Sequence, residues 1–177
     1  MIILVGASAS GKTVTALELQ KKYGLKKAIT TTTREMRVGE RDGVEYFFIS
    51  KEEFKKRLAE NRFVESSLYN GNYYGCGIDQ VADDKVVVLD PNGLHSFKKL
   101  SNKNIVTFLL IADEKIRRER MVSRGDKKEN IDQRITNDVV DFSLEKIGDV
   151  DFIIKTNNKS IEETADLIYQ NYKKKIS

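Results

Sequence analysis

Residues Gly6-Ala7-Ser8-Ala9-Ser10-Gly11-Lys12-Thr13 set two glycines, a lysine and a hydroxyl at the spacing G-x-x-x-x-G-K-[ST]. In such a loop the glycines let the backbone curl until successive N–H groups converge on phosphate oxygens. The first turn of a following helix adds partial positive charge. Lys12 would reach the β- and γ-phosphates of ATP or GTP, and Thr13 could hold Mg²⁺. A second constellation lies in ITTTTREMRVGE, residues 29–40, where Arg34 and Arg37 stand three apart before Gly39 and Glu40. Two guanidiniums this close can fork onto one phosphate group, each charge-assisted contact contributing about 1.5–3 kcal/mol. Glu40 is placed to support them by pairing with one arginine. Farther on, Tyr69, Tyr73 and Tyr74 cluster around Asn70-Gly71. Their hydroxyls can donate to phosphate, and their rings can stack on a base or pack on a core. Glu65 precedes them, and a carboxylate accepting from N1–H and the 2-amino group selects guanine over adenine.

These residues need elements to hold them. The run Ile2–Val5 before the glycine loop reads as a strand, and a helical pattern covers about Lys12 to Lys22, which is the context the motif requires. Further strands are expected at Ala28–Thr32, Val86–Asp90, Ile105–Ile111 and Phe152–Lys155. Helices are expected near Leu94–Leu100, as two stretches across 114–147, and from about Ile161, where Ser160 and Glu163 form a capping box. Continuous apolar runs such as IVTFLLI indicate strands buried on both faces. The alternation predicts an α/β fold, a parallel sheet flanked by helices. Residues 33–80 differ in texture. They hold EYFFIS, a helix opened by a second capping box at Ser50 and Glu53, and a hairpin signal at Asn70-Gly71. This predicts a small α+β insertion with antiparallel strands.

The 177 residues carry 40% apolar and 33% charged side chains and a net charge of +4, values of a globular chain with a strongly solvated surface. The mild positive charge suits phosphorylated small molecules as well as nucleic acid, and the lysines are spread along the chain, so no nucleic-acid partner is expected. Lys173, Lys174 and Lys175 fit the negative end of a helix dipole. One cysteine, Cys76, excludes a disulfide framework, and one histidine, His95, makes a histidine metal site or Ser–His relay improbable. His95 is read as structural or exposed. Neither a signal peptide nor a membrane span is legible, so a cytoplasmic location is expected.

The segments VGASASGKT, TTTREMRVGERDGVEYFFIS, FVESSLYNGNYYG and RERMVSRG, followed by Arg134, together resemble the guanylate kinase family, in its order and over most of the chain. The resemblance implies a P-loop core (1–32, 81–112 and 140–177), a monophosphate-binding insertion (33–80) and a helical lid (113–139) within one domain, acting alone or as a homodimer. It implies transfer of the γ-phosphate of ATP to GMP or dGMP, with Mg²⁺. The donor would be bound by Gly6 to Thr13 and Asn157, and the acceptor phosphate by Arg34, Arg37, Tyr46 and Tyr74. Thr30 and Glu65 would read guanine, with Glu40, Gly75, Cys76 and Asp90 completing the acceptor site. Thr13 and Asp90 would serve the metal, partly through water. Lys12, Arg34, Arg120, Arg124 and Arg134 would stabilise the transferring group.

The bland readings stand beside these. Tyr46 is as readily core as ligand, Tyr73 is better read as packing, and Arg117, Arg118 and Arg120 fit a solvated helix face. The chain departs from the family pattern at Cys76, where serine is usual, at Asn92, which replaces a second carboxylate after Asp90, and in a shortened 77–85 segment. A thiol donates weakly, so looser acceptor binding is expected. Two alternatives follow: a nucleoside monophosphate kinase with a shifted acceptor, and a non-catalytic guanylate-kinase-like interaction domain. The latter typically lacks the loop lysine, which here is intact.

Overall fold

The apolar run Ile2–Val5 forms strand β1, and all four residues are completely buried. A strand with no polar face needs cover on both sides. In the computed structural model, which describes residues 1–69 and 71–177, helices supply that cover. The remaining strands are β2 (Lys26–Lys27), β3 (Thr30–Thr32), β4 (Phe47–Phe48), β5 (Phe63–Tyr69), β6 (Asn72–Gly77), β7 (Lys85–Val88), β8 (Val106–Ile111) and β9 (Phe152–Lys155). The helices are α1 (Lys12–Tyr23), α2 (Lys51–Ala59), α3 (Pro91–Lys98), α4 (Glu114–Ser123), α5 (Lys128–Asp141), α6 (Leu144–Ile147) and α7 (Ile161–Ile176).

Five strands form a wholly parallel sheet in the order β2–β7–β1–β8–β9. Side chains alternate across it. Ile2 and Leu4 point into one core with Leu19 of α1 and Ile168 and Tyr172 of α7. Ile3 and Val5 point into the other with Leu94 and Phe97 of α3 and Ile147 of α6. The capping box of α7 is complete: Glu163 N–H donates to Ser160 Oγ (3.0 Å) and Ser160 N–H to the Glu163 carboxylate (2.7 Å).

A second sheet, β4–β3–β6–β5, projects from the first. Here the structure departs from the sequence reading. One strand was expected over Ala28–Thr32 in the parallel sheet. Instead Lys26–Lys27 pair with β7, and Thr30–Thr32 pair with β6 and β4 in the second sheet. The threonines explain the change of sheet, because Thr32 Oγ1 donates to Tyr73 O (3.1 Å) and Thr33 Oγ1 accepts from Tyr73 N–H (2.9 Å). The insertion is mixed rather than antiparallel, since β3 and β4 run parallel. The capping box at Ser50 is half formed: Ser50 Oγ accepts from Glu53 N–H, but the Glu53 carboxylate turns to Arg57 (2.7 Å). The hairpin joining β5 to β6 forms as expected, with Tyr69 opposite Asn72; Asn70 lies outside the described residues.

Three helices, not two, cover 114–147. Gly125, at φ 87°, breaks the first from the second, and Ser143 opens the short third by accepting from Lys146 N–H (3.4 Å). Helix α3 starts three residues earlier than expected because Pro91 suits a first helical position and Asp90 caps it, accepting from Gly93 N–H at 2.7 Å.

Candidate active site

The loop Gly6–Thr13 leaves β1 at its C-terminal end and enters α1. Gly6 has φ 151°, and a Cβ there would lie 2.2 Å from Leu110 O, so the loop crosses β8 too closely for any side chain. Ala9 (φ 59°) and Gly11 (φ 104°) are left-handed, the turn that points backbone N–H groups inward. No side chain caps α1, which leaves its first-turn N–H groups facing outward as anion donors. Lys12 Nζ donates to Gly6 O (2.6 Å) and Ala7 O (2.8 Å), arching over the loop. Burial lowers the Lys12 pKa to about 8; Asp138 opposes the shift, and Arg117 and Arg124 add to it. Ser10 Oγ, wholly buried at the loop floor, has no hydrogen-bond partner among the described residues. Thr13 is exposed on a cleft of about 370 Å³ that Lys12, Arg120, Arg124, Thr156 and Lys159 also line.

The α4–α5 pair stands over this loop. Arg120 donates to Ala9 O (3.1 Å), Thr156 Oγ1 (3.2 Å) and Thr156 O (2.8 Å), tying the loop to the end of β9. Arg117 is buried and ion-paired with Asp138 at 2.7 Å, which overturns the reading of 117, 118 and 120 as a solvated face. Only Arg118 fits that reading, pairing with Glu114 and Asp132 at the surface. Arg124 and Arg134 converge on Asp126, Arg124 Nε at 2.9 Å and Arg134 Nη1 at 4.0 Å. Asn157 Oδ1 accepts from Asp113 N–H (2.9 Å) and shares an open cleft with Arg120 and Arg124.

The second sheet carries the other predicted residues. Register sets Thr30 opposite Cys76 and Cys76 opposite Glu65, with Thr32, Tyr74 and Ser67 in line two residues on. Thr30, Glu65 and Tyr74 therefore share one face. Gly75 and Tyr73 belong to the other face, where Tyr73 stacks on Phe54 of α2 at 5.2 Å and a Cβ on Gly75 would lie 3.0 Å from the rings of Phe54 and Phe63. Tyr73 is thus packing, as its sequence reading held.

Arg34 is fixed from several sides. Its guanidinium pairs with Glu40 (2.7 Å), donates to Glu35 O (2.7 Å) and lies over the rings of Tyr46 (5.5 Å) and Phe48 (5.6 Å). Arg34, then the Arg37 backbone N–H (2.8 Å), hold the Glu40 carboxyl below its usual range. Tyr46 packs edge-on to Tyr74 at 6.1 Å, so it is wall and candidate donor together. The Arg37 side chain is exposed and, among the described residues, has no carboxylate within 4 Å. Glu65 accepts from Cys76 N–H (3.0 Å); burial chiefly, with Asp90 nearby, raises its pKa.

The Cys76 thiol is 1% exposed and packs into the second core cluster, with its pKa pushed up to about 12 by burial. Register nevertheless sets its side chain on the face that carries Thr30 and Glu65, and its backbone N–H donates to the Glu65 carboxylate. Asp90 gives one carboxylate oxygen to the α3 cap. His95 is exposed with Nε2 2.6 Å from Lys146 O, as a structural residue would be. Sequence reasoning missed Asp138, Thr156 and Lys159. Asp138 carried a usable signal: it follows Ile131 and Ile135 along the buried stripe of α5, where a charge needs a partner.

A parallel sheet whose central strand runs into the Gly6–Thr13 loop and then a helix, with a smaller second sheet, is a P-loop architecture. The guanylate kinase family model matches residues 1–172, and the chain belongs to that family. It is 30% identical over 177 residues to guanylate kinase of Chlorobaculum tepidum, covering 95% of this chain and 89% of that one. With guanylate kinase of Carboxydothermus hydrogenoformans it shares 35% identity over 138 residues, 74% of this chain and 68% of the relative. The crystal structure of guanylate kinase from Anaplasma phagocytophilum has the same fold, with a TM-score of 0.68 at 22% identity over 98% of this chain and 84% of that one. Among the described residues no helix is long and apolar enough to cross a membrane.

Proposed function

We propose that this protein moves the γ-phosphate of ATP to GMP, giving ADP and GDP, and that the residues above divide the work as follows. The acceptor oxygen belongs to a phosphate already ionised at neutral pH, so no general base is needed and positioning with charge neutralisation carries the reaction. Lys12 and the loop N–H groups hold the donor phosphates. On binding, Lys12 exchanges its bonds to Gly6 O and Ala7 O for phosphate oxygens. Arg34, preset by Glu40, and Arg37, which has no such partner, grip the acceptor phosphate with Tyr46 and Tyr74. Thr30 and Glu65 read the guanine edge. Arg120, Arg124 and Arg134 cover charge on the moving group when segment 113–139 closes as a lid, releasing Arg124 and Arg134 from Asp126. Segment 33–80, joined by β3, forms the acceptor-binding part, segment 113–139 the lid, and 1–32, 81–112 and 140–177 the core.

Mg²⁺ suits this donor set. It takes few protein oxygens and keeps phosphate and water ligands, and the described residues hold no cluster of three metal-ligating side chains, while Thr13 opens on the donor cleft. Thr13, and Asp90 through water, would hold it, and it would supply charge neutralisation on the donor phosphates.

The observation that carries this reading is the intact Gly6–Thr13 loop combined with Thr30, Glu65 and Tyr74 on one face of the second sheet. The test is ADP release with Mg·ATP and a panel of GMP, dGMP, AMP, CMP and UMP. GMP is expected to give the highest kcat/KM. A different preferred acceptor would favour the shifted-acceptor kinase, and no ADP release with any of them would favour the interaction domain.

A further inference from the structure

Among the described residues, Arg117 and Asp138 are the only charged side chains that are buried. Their exposures are 9% and 8%, and their nitrogen and oxygen lie 2.7 Å apart. Burying such a pair gains little, since well-packed apolar residues of similar volume are often equally or more stable. What the pair holds is more telling than what it contributes. Asp138 Oδ2 accepts from Ser8 N–H (3.0 Å), Asp138 Oδ1 accepts from Ser8 Oγ (3.2 Å), and Arg117 Nη1 donates to Ser8 O (3.3 Å). Every polar group of Ser8 is thus engaged, from two helices at once. The next residue, Ala9, packs on Met121, Ile131 and Ile135 of the same helices.

We propose that Arg117 and Asp138 are positioning residues for phosphoryl transfer: they fix the apex of the donor loop through Ser8, so that Lys12 and the N–H groups beyond meet the donor phosphates in one arrangement. This rests on Gly6–Thr13 being the donor-phosphate site. The two members are not equivalent. A lone carboxylate beside a polyphosphate repels it, and Arg117 cancels that charge while sharing the grip on Ser8. Because Arg120 lies on α4, Arg124 directly after it and Arg134 on α5, the pair links the shape of the loop to the position of those arginines.

The test compares wild type with Arg117→Met, Asp138→Leu, the double variant carrying both, and Arg117→Lys. Thermal midpoint and the KM values for ATP and GMP are measured for each. Each apolar single variant is expected to lose stability, and the double variant to regain most of it. The double variant should nevertheless keep an ATP KM raised on the order of tenfold, with GMP KM within about twofold of wild type. Arg117→Met should raise ATP KM more than the double variant does. Arg117→Lys, which keeps the charge but loses the planar fork, covers the case of a double variant that does not fold. It should raise ATP KM roughly threefold at a nearly unchanged midpoint. Wild-type ATP KM in the double variant, or in Arg117→Lys, would overturn the proposal and leave the pair a packing feature. Absence of GMP-dependent ADP release in wild type would instead overturn the reading of the loop.

Discussion

On the proposed role of Gly6–Thr13 in donor binding, Lys12 would make the donor site a titrating one. Burial brings its pKa from the ordinary 10.5 to about 8, and the side chain spends that free state bonded to two loop carbonyls. A polyphosphate binds the charged form and restores a high pKa. Binding should therefore take up protons, and affinity should fall as pH rises through 8. With a free-state pKa of about 8, uptake on Mg·ATP binding should be about 0.1 proton at pH 7, about 0.5 at pH 8 and about 0.9 at pH 9. The Kd should weaken by roughly tenfold between pH 7 and pH 9. Few other groups compete in that window. Cys76 and Tyr172 are pushed up to about 12, and the Met1 amine, lowered to about 6, lies at the far end of β1. Calorimetry with Mg·ATP, without acceptor, in buffers of different ionisation enthalpy reads the uptake directly. Lys12→Arg, always charged, should abolish it. A flat Kd with no uptake from pH 7 to pH 9 would refute the reasoning. Folding has the linked dependence. The unfolded chain binds more protons between pH 8 and about 10.5, so this contribution to stability is full above 10.5 and lost as pH falls through 8.

Three further outcomes can be checked. Gly6→Ala should strongly destabilise the loop and abolish Mg·ATP binding by calorimetry, because the new Cβ meets a backbone oxygen at 2.2 Å that no side-chain motion relieves. Arg37→Ala should raise the GMP KM strongly and the ATP KM little in steady-state assays; equal effects would contradict its place on the acceptor side. Glu65→Gln should narrow the GMP-to-AMP ratio of kcat/KM while leaving β5–β6 pairing intact, since the amide oxygen can still accept from Cys76 N–H. An unchanged ratio would remove Glu65 from base recognition.

What the sequence made legible divides along physical lines. The parallel sheet followed from short continuous apolar runs alternating with helical patterns, and β1, β8 and β9 lie where those runs put them. The glycine loop was legible because its mechanism is local: every contributing group lies within eight residues. Pairing partners were less legible. Nothing within Ala28–Thr32 reveals that the chain changes sheets in its middle, because threonine suits either sheet and the choice is made by Tyr73 some forty residues on. Glu40 was correctly expected to support an arginine, since the two lie six residues apart. Arg117 and Asp138 were not foreseen as a pair: they lie on different helices, and a charge on a helix is usually solvated. Cys76 shows the same limit: its burial in the second core cluster depends on packing partners distant in the chain, which its local sequence does not reveal.

The order of strands also constrains how the molecule can form. Strand β1 is paired on both sides, Ile2 with Val86 and with Val106, so its apolar residues stay uncovered until long stretches of chain return to them. The hairpin of β5 and β6 lies between, and its Glu65–Cys76 bond closes only eleven residues. Local closure loses far less chain entropy than closing the β1–β7 contact across an unstructured segment. The β5–β6 hairpin is thus built to condense early, and once folded it shortens the effective loop that the central sheet must close. A substitution in the hairpin, far from β1, should then slow formation of the central sheet as well as weaken the small one.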